Sequence, residues 1–148
     1  MTLYLDSSAI IKVYLREPWA QLITAALAAD PVAHTAEISY VETRTAFSRA
    51  LREGRITAAD QSALVAAFEV DWTGYARVPI DEALLRLAAD LVDRHSAHAL
   101  RAIDALHLAA AVRIAAGAPR AVAIVCWDRR LWRCARDEGF DRLPRQEP

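Results

Sequence analysis

The apolar positions of this chain repeat with two periods, and the switches between them mark alternating strands and helices. Leu3 to Leu5 is a short apolar run with β-forming Tyr4 at its centre, followed directly by Asp6, Ser7 and Ser8. It reads as a buried strand whose carboxyl end delivers an acid to the mouth of a sheet. A helix runs from Ala9 to Leu15, and Pro18 opens another through Trp19, Leu22, Ile23 and Leu27, because proline lacks only an N–H that a first helical turn leaves unpaired. Asp30-Pro31 breaks that helix, and Val32 to Thr35 is a second strand. Glu37 to Glu53 is helical and stops at Gly54, a good C-cap residue. Thr57-Ala-Ala-Asp60 has capping-box spacing, with Asp replacing the usual Glu or Gln, and starts a helix through Leu64, Phe68 and Trp72. These two helices form an antiparallel hairpin.

Tyr75 to Ile80 reads as a third strand, kept short by Pro79. Asp81 caps a helix carrying Leu84, Leu85, Leu87, Ala88, Leu91 and Val92, and the next helix runs from Arg101 to Ala116 before Gly117 and Pro119. Ala121 to Trp127 is continuously apolar, the pattern of a strand covered on both faces. Asp128 starts a helix from Arg129 to Glu138 closed by Gly139, Phe140 to Leu143 is a last short strand, and 144–148 a frayed tail. Alternating strands and helices with fully apolar strands predict an α/β protein, a three-layer α/β/α sandwich on a mainly parallel sheet. One domain spans 1–148.

Composition narrows the class. A chain of 148 residues, 55% hydrophobic and 25% charged, buries a proper core as a soluble globular protein. The net charge of −1 gives no overall cationic field. Lys12 is the sole lysine and every other basic side chain is arginine, which suits planar contact with phosphate or carboxylate and equally follows from a GC-rich genome. Cys126 and Cys134 are too far apart for a C-x-x-C pair and no His-Cys cluster surrounds them, so the chain reads as reduced and cytosolic. The N-terminus lacks a secretory pattern, and the longest apolar stretch, Ala105 to Ala116, is interrupted by His107 and Arg113. No membrane span is expected.

Four acids sit awkwardly in their elements. Glu42 shares a row with Ile38, Ala46 and Ala50, and Asp104 shares one with Leu100, Leu108 and Val112, since residues four apart stack on a helix. Asp6 and Asp128 each follow an apolar strand and precede a helix. Each has an ordinary explanation as a helix cap or first-turn acid. Together, however, they would converge where open parallel sheets place ligand sites. Carboxylates gathered there repel one another. A hard divalent cation, Mg²⁺ or Mn²⁺, removes that repulsion, prefers oxygen ligands, activates water and stabilises charge on a phosphoryl oxygen.

The segments Leu5-Asp6-Ser7-Ser8, Glu42, Arg101-Ala-Ile-Asp104-Ala-Leu-His107-Leu-Ala109 and Trp127-Asp128-Arg-Arg-Leu131 resemble the PIN-domain ribonucleases. Within them the chain is similar to the VapC toxins of bacterial type II toxin–antitoxin pairs, over residues 3 to about 143. The resemblance implies a PIN-like fold, a Mg²⁺- or Mn²⁺-dependent endoribonuclease acting on RNA, a homodimer, and neutralisation by a VapB-type antitoxin. By position it makes Asp6, Glu42, Asp104 and Asp128 the catalytic, metal-holding acids, with Ser7 or Ser8 as the supporting hydroxyl. One position departs: the residue two before the last acid is usually Ser, Thr or Asn in the family and here is Cys126. A thiol is a weak donor, which weakens the support of Asp128 and of a second ion.

Arg129, Arg133 and Arg136 share a face of the last helix and read either as RNA-phosphate contacts or as a solvated surface. His107 is read as packing or hydrogen bonding near Asp104, and His95 and His98 as surface histidines. The four tryptophans are assigned to packing or a protein interface. Two rival functions remain: a phosphatase using Asp6 as nucleophile, and a PIN-like module that binds RNA or protein without efficient cleavage.

Overall fold

In the computed structural model, which describes residues 1–29 and 32–148, five strands form one entirely parallel sheet. In chain order the elements are β1 (Thr2–Leu5), α1 (Ser7–Tyr14), α2 (Ala20–Ala29), β2 (Ala33–Ala36), α3 (Ile38–Arg52), α4 (Ala58–Trp72), β3 (Ala76–Val78), α5 (Glu82–Arg94), a 3₁₀ turn (Ser96–His98), α6 (Ala102–Gly117), β4 (Val122–Val125), α7 (Arg129–Asp137) and β5 (Asp141–Leu143). The strand order is β3-β2-β1-β4-β5. The chain therefore builds outward from β1 in one direction and then in the other. The crevice between the carboxyl ends of β1 and β4 is the switch point of the sheet.

Strand alternation divides the core into two. Leu3 and Leu5 of β1, with Ala123 and Val125 of β4, face Ile10, Ile23, Phe47 and Phe68 of α1–α4. Tyr4, Val122 and Ile124 face Leu84, Leu91, Leu108 and Leu131 of α5–α7. This is the expected three-layer sandwich, with period-2 strands feeding opposite layers. The α3–α4 hairpin is antiparallel: Tyr40 meets Trp72, Arg44 reaches Glu69, and Gln61 bonds Ser48. The predicted capping box is formed by Thr57 and Asp60.

Beside strand ends that shift by one or two residues, three features differ from the sequence reading. α1 starts at Ser7 instead of Ala9, because the Asp6 carboxylate accepts the Ala9 N–H and pulls both serines into the first turn. α2 starts at Ala20, leaving Pro18 outside it. Trp19, at φ +79°, holds a left-handed backbone that no helix continues through. The segment 144–148, read as frayed, lies on α7: the Trp132 indole N–H donates to the Pro144 carbonyl, and Arg133 grips Glu147. The break read at Asp30-Pro31 falls outside the described residues.

The aromatic stack of Phe47, Phe68, Tyr40, Trp72 and Tyr14 fixes the hairpin to α1. Phe68→Ala should cost about 3–5 kcal/mol, measured by urea unfolding, because the fully buried ring is the centre of that stack.

Candidate active site

Asp6 stands immediately after β1 and is only 4% exposed. Its carboxylate accepts the Ser8 hydroxyl at 2.7 and 2.9 Å and the Ala9 N–H at 2.9 Å. The same Ser8 oxygen accepts the N–H of Trp127 at 2.9 Å, just beyond β4. Ser8 thus closes the mouth between the two central strands. Ser7 is buried in the first turn of α1, and it is Ser8 whose hydroxyl touches the acid.

Asp128 caps α7 through one oxygen, which accepts the N–H groups of Arg130 (2.8 Å) and Leu131 (3.2 Å). Its other oxygen takes Arg101 Nη2 at 2.7 Å, while Arg101 Nε holds Asp104 at 2.9 Å. One guanidinium therefore bridges the acids that open α6 and α7. Arg101 is largely exposed, whereas Asp104 is buried. A planar fork suits such a double contact. The sequence reading includes Arg101 in the motif but assigns it no role.

Glu42 is held from the other side. His107 Nε2 lies 2.8 Å from its carboxylate, and His107 Nδ1 lies 2.8 Å from the Tyr4 hydroxyl. Burial raises the Tyr4 phenol well above its usual range, so it remains a donor. A Tyr4 O–H donated to Nδ1 leaves the Nε2–H for Glu42, and a buried carboxylate–imidazole–phenol chain results. The sequence reading leaves His107 as a packing or hydrogen-bonding residue near Asp104, with no partner named. The structure gives Glu42, which lies 65 residues away in sequence and reaches the mouth from α3.

Burial pushes the Asp6 carboxyl up to about 6, against the opposing pull of His107, Ser8 and the Ala9 N–H, with Glu42 adding to the rise. Burial also raises Asp104, countered by Arg101 and reinforced by Asp128. Burial acts to lower His107, but the bond to Glu42 and its charge carry the imidazole above its ordinary value. Cys126 is fully buried, and burial first, then Asp6, Asp128 and Asp104, lift its thiol well above the usual range. It stays a neutral thiol. The bonds that fix Asp128 come from Arg101, Arg130 and Leu131, so Cys126 contributes packing behind the acid.

The predicted acids fall into two pairs about the switch point, Asp104 and Asp128 joined through Arg101, and Asp6 and Glu42 coupled through their charges and His107; together they outline a candidate basin. The donor set is carboxylate oxygen throughout, its deepest member resists ionising, and the basin already draws a cation, Arg101. These residues fit a hard divalent ion. Lys12, the sole lysine, pairs with Glu17 at 3.2 Å and lies over the Trp127 ring, away from the role an aspartyl-phosphate mechanism would give it. Arg129 and Arg133 line a depression of about 430 Å³ beside Asp128 and Arg130. The structure partners the three predicted RNA-contacting arginines internally: Arg129 with the Pro148 carbonyl, Arg133 with Glu147 and Arg136 with Asp137.

The family model of the PIN domain matches residues 3–144. The chain belongs to the PIN-domain family. Ribonuclease VapC45 of Mycobacterium tuberculosis (strain CDC 1551 / Oshkosh) and Ribonuclease VapC49 of M. tuberculosis (strain ATCC 25618 / H37Rv) are each 32% identical to this PIN domain over 143 residues. Each match covers 97% of this chain and 95% of the relative. Among solved structures, FitAcB from Neisseria gonorrhoeae superposes with a TM-score of 0.71 at 17% identity, covering 95% of this chain and 96% of that one. FitAB bound to an IR36 DNA fragment gives 0.70 at 15% identity, covering 99% and 98%. These two establish the PIN fold independently of sequence.

A raised carboxyl pKa is a stability statement. The folded state keeps the Asp6 proton until about pH 6, whereas the unfolded chain releases it near the reference value of 3.8. Wild type therefore loses stability as pH rises through that window and does not regain it above. In EDTA, Asp6→Asn should be more stable than wild type by about 1–3 kcal/mol at pH 7.5, with the difference shrinking toward pH 4. Chemical unfolding at the two pH values reads it directly; a pH-independent difference would contradict the assignment.

Proposed function

We propose that this PIN domain is a Mg²⁺- or Mn²⁺-dependent endoribonuclease, the toxin of a toxin–antitoxin pair. The observation that supports the reading is the buried Asp6 carboxylate at the switch point, which feels the charge of Glu42, with Asp104 and Asp128 bridged nearby through Arg101. Kinship with VapC ribonucleases over nearly the whole chain supports RNA as the substrate.

Asp6, Glu42, Asp104 and Asp128 would hold the ion, which supplies water activation and charge stabilisation on the scissile phosphate. The chain does the positioning. Ser8 holds Asp6 against β4 through its hydroxyl and the Trp127 N–H. Tyr4 and His107 orient the part-buried Glu42 carboxylate through one hydrogen-bonded chain. Arg101, which bonds Asp104 and Asp128, would be free to meet an RNA phosphate once a cation is held by those acids. The arginines beside Asp128 extend that cationic rim once the tail residues yield Glu147.

A VapB-type antitoxin and a homodimeric state follow from the VapC likeness as parts of the same proposal. Trp19 and Leu22 are exposed beside a groove of about 790 Å³ along the α1–α2 connection, apolar surface of the kind a protein partner covers. Among the described residues no helix is long and apolar enough to cross a membrane. Two buried free thiols suit the reducing cytoplasm.

Purified protein should cleave a fluorogenic RNA only with Mg²⁺ or Mn²⁺ present. Asp6→Asn and Asp104→Asn should each slow cleavage by roughly 100-fold or more, the loss of several kcal/mol at about 1.36 kcal/mol per tenfold. His107→Gln, which leaves Glu42 unsupported, should lose about 10- to 100-fold. Wild-type turnover by Asp6→Asn would overturn the proposal.

A further inference from the structure

A second cluster of ligand-type side chains lies outside the carboxylate basin. His95 ends α5 and His98 closes the 3₁₀ turn, with Ala99 next in a left-handed conformation. From sequence both read as surface histidines, because no acid or Cys is arranged with their i, i+3 pair. The fold brings the end of α7 against them. His98 Nε2 lies 2.6 Å from Asp137 Oδ2, and His95 Nε2 lies 2.8 Å from Glu138 Oε1. His95 is only 6% exposed, and the two rings stack at 6.2 Å. One ligand atom each from His95, His98 and Asp137 lies within 4.8 Å of the other two.

We propose that His95, His98 and Asp137, with Glu138 beside them, form a site for a borderline divalent transition ion of the Zn²⁺ class. Imidazole and carboxylate in that ratio suit Zn²⁺ and not Mg²⁺, which avoids nitrogen. The surroundings resemble the outer contacts that orient metal ligands. Arg136 takes the Asp137 oxygen turned away from His98, leaving Oδ2 to face the imidazole. Arg94 grips both oxygens of Glu138. Each carboxylate is thereby fixed with an oxygen toward a histidine. Without an ion, a proton lies between each imidazole nitrogen and its carboxylate oxygen; a cation at about 2.0 Å from each ligand atom would replace the proton and part the two side chains by roughly half an ångström.

The placement gives the ion a structural task. His98 precedes Arg101 and Asp104 by one short segment, and Asp137 lies at the far end of the helix that Asp128 caps. An ion here would staple the turn that leads into α6, the helix of Asp104, to the far end of α7, the helix that Asp128 caps.

The test is calorimetric titration of ZnCl₂ into the full chain, with Asp6→Asn as the background that impairs the carboxylate basin. The expected result is one Zn²⁺ per chain in both proteins, with affinity at least about tenfold weaker in His98→Ala and in the near-isosteric Asp137→Asn. Substituted Co²⁺ should give visible absorption bands that both variants lose. Zinc binding by wild type that is absent in Asp6→Asn, or that is unchanged in both His98→Ala and Asp137→Asn, would overturn the proposal, as would no binding at all. Circular dichroism of the two variants separates loss of ligand from loss of fold.

Discussion

The structure is organised around one electrostatic constraint: carboxylates crowded at the open end of a parallel sheet repel one another unless cations or donors stand between them. Each acid here has such a neighbour. Ser8 and the Ala9 N–H serve Asp6, His107 serves Glu42, and Arg101 serves Asp104 and Asp128 together. The compensation is incomplete where burial is greatest, and Asp6 keeps its proton to about pH 6. Residual strain of this kind is what a bound divalent ion relieves. A stability defect and the proposed affinity for cations would thus be one property of the same residues.

The fold places these groups with little ambiguity. β1 and β4 are adjacent, parallel and buried on both faces, so the residues that follow them emerge side by side. Asp6 and Asp128 use one carboxylate oxygen or edge to cap the next helix and keep the remainder for the basin. From sequence, capping and chemistry were competing explanations for these acids; in the structure the cap is what aims the carboxylate. The neutral, buried Cys126 sits behind Asp128 without holding it, so the departure from the family pattern is absorbed by Arg101 and two backbone amides.

Much of this was legible because it is local or periodic. Strands of continuous apolar residues, helix rows four apart and caps at Asp6, Thr57, Asp81 and Asp128 are all short-range signals, and they led to the correct layers. What was hidden depends on contacts between distant segments. Glu42 meets His107 across 65 residues, and His95 and His98 meet Asp137 and Glu138 across 39 to 43. Arg101 was visible three residues before Asp104, but its second bond, to Asp128, exists only because α6 and α7 begin at the same mouth. The α2 start was missed because a left-handed Trp19 leaves no mark in residue type.

In the proposed function the four carboxylates make one cation site, and Arg101 fills part of the ion's electrostatic role until an ion arrives. Anomalous scattering from crystals soaked in Mn²⁺ tests it most directly. The account predicts a peak among Asp6, Glu42, Asp104 and Asp128, with Arg101 no longer joined to both Asp104 and Asp128. A map with no peak there, and Arg101 still bridging the two acids at saturating Mn²⁺, would contradict it.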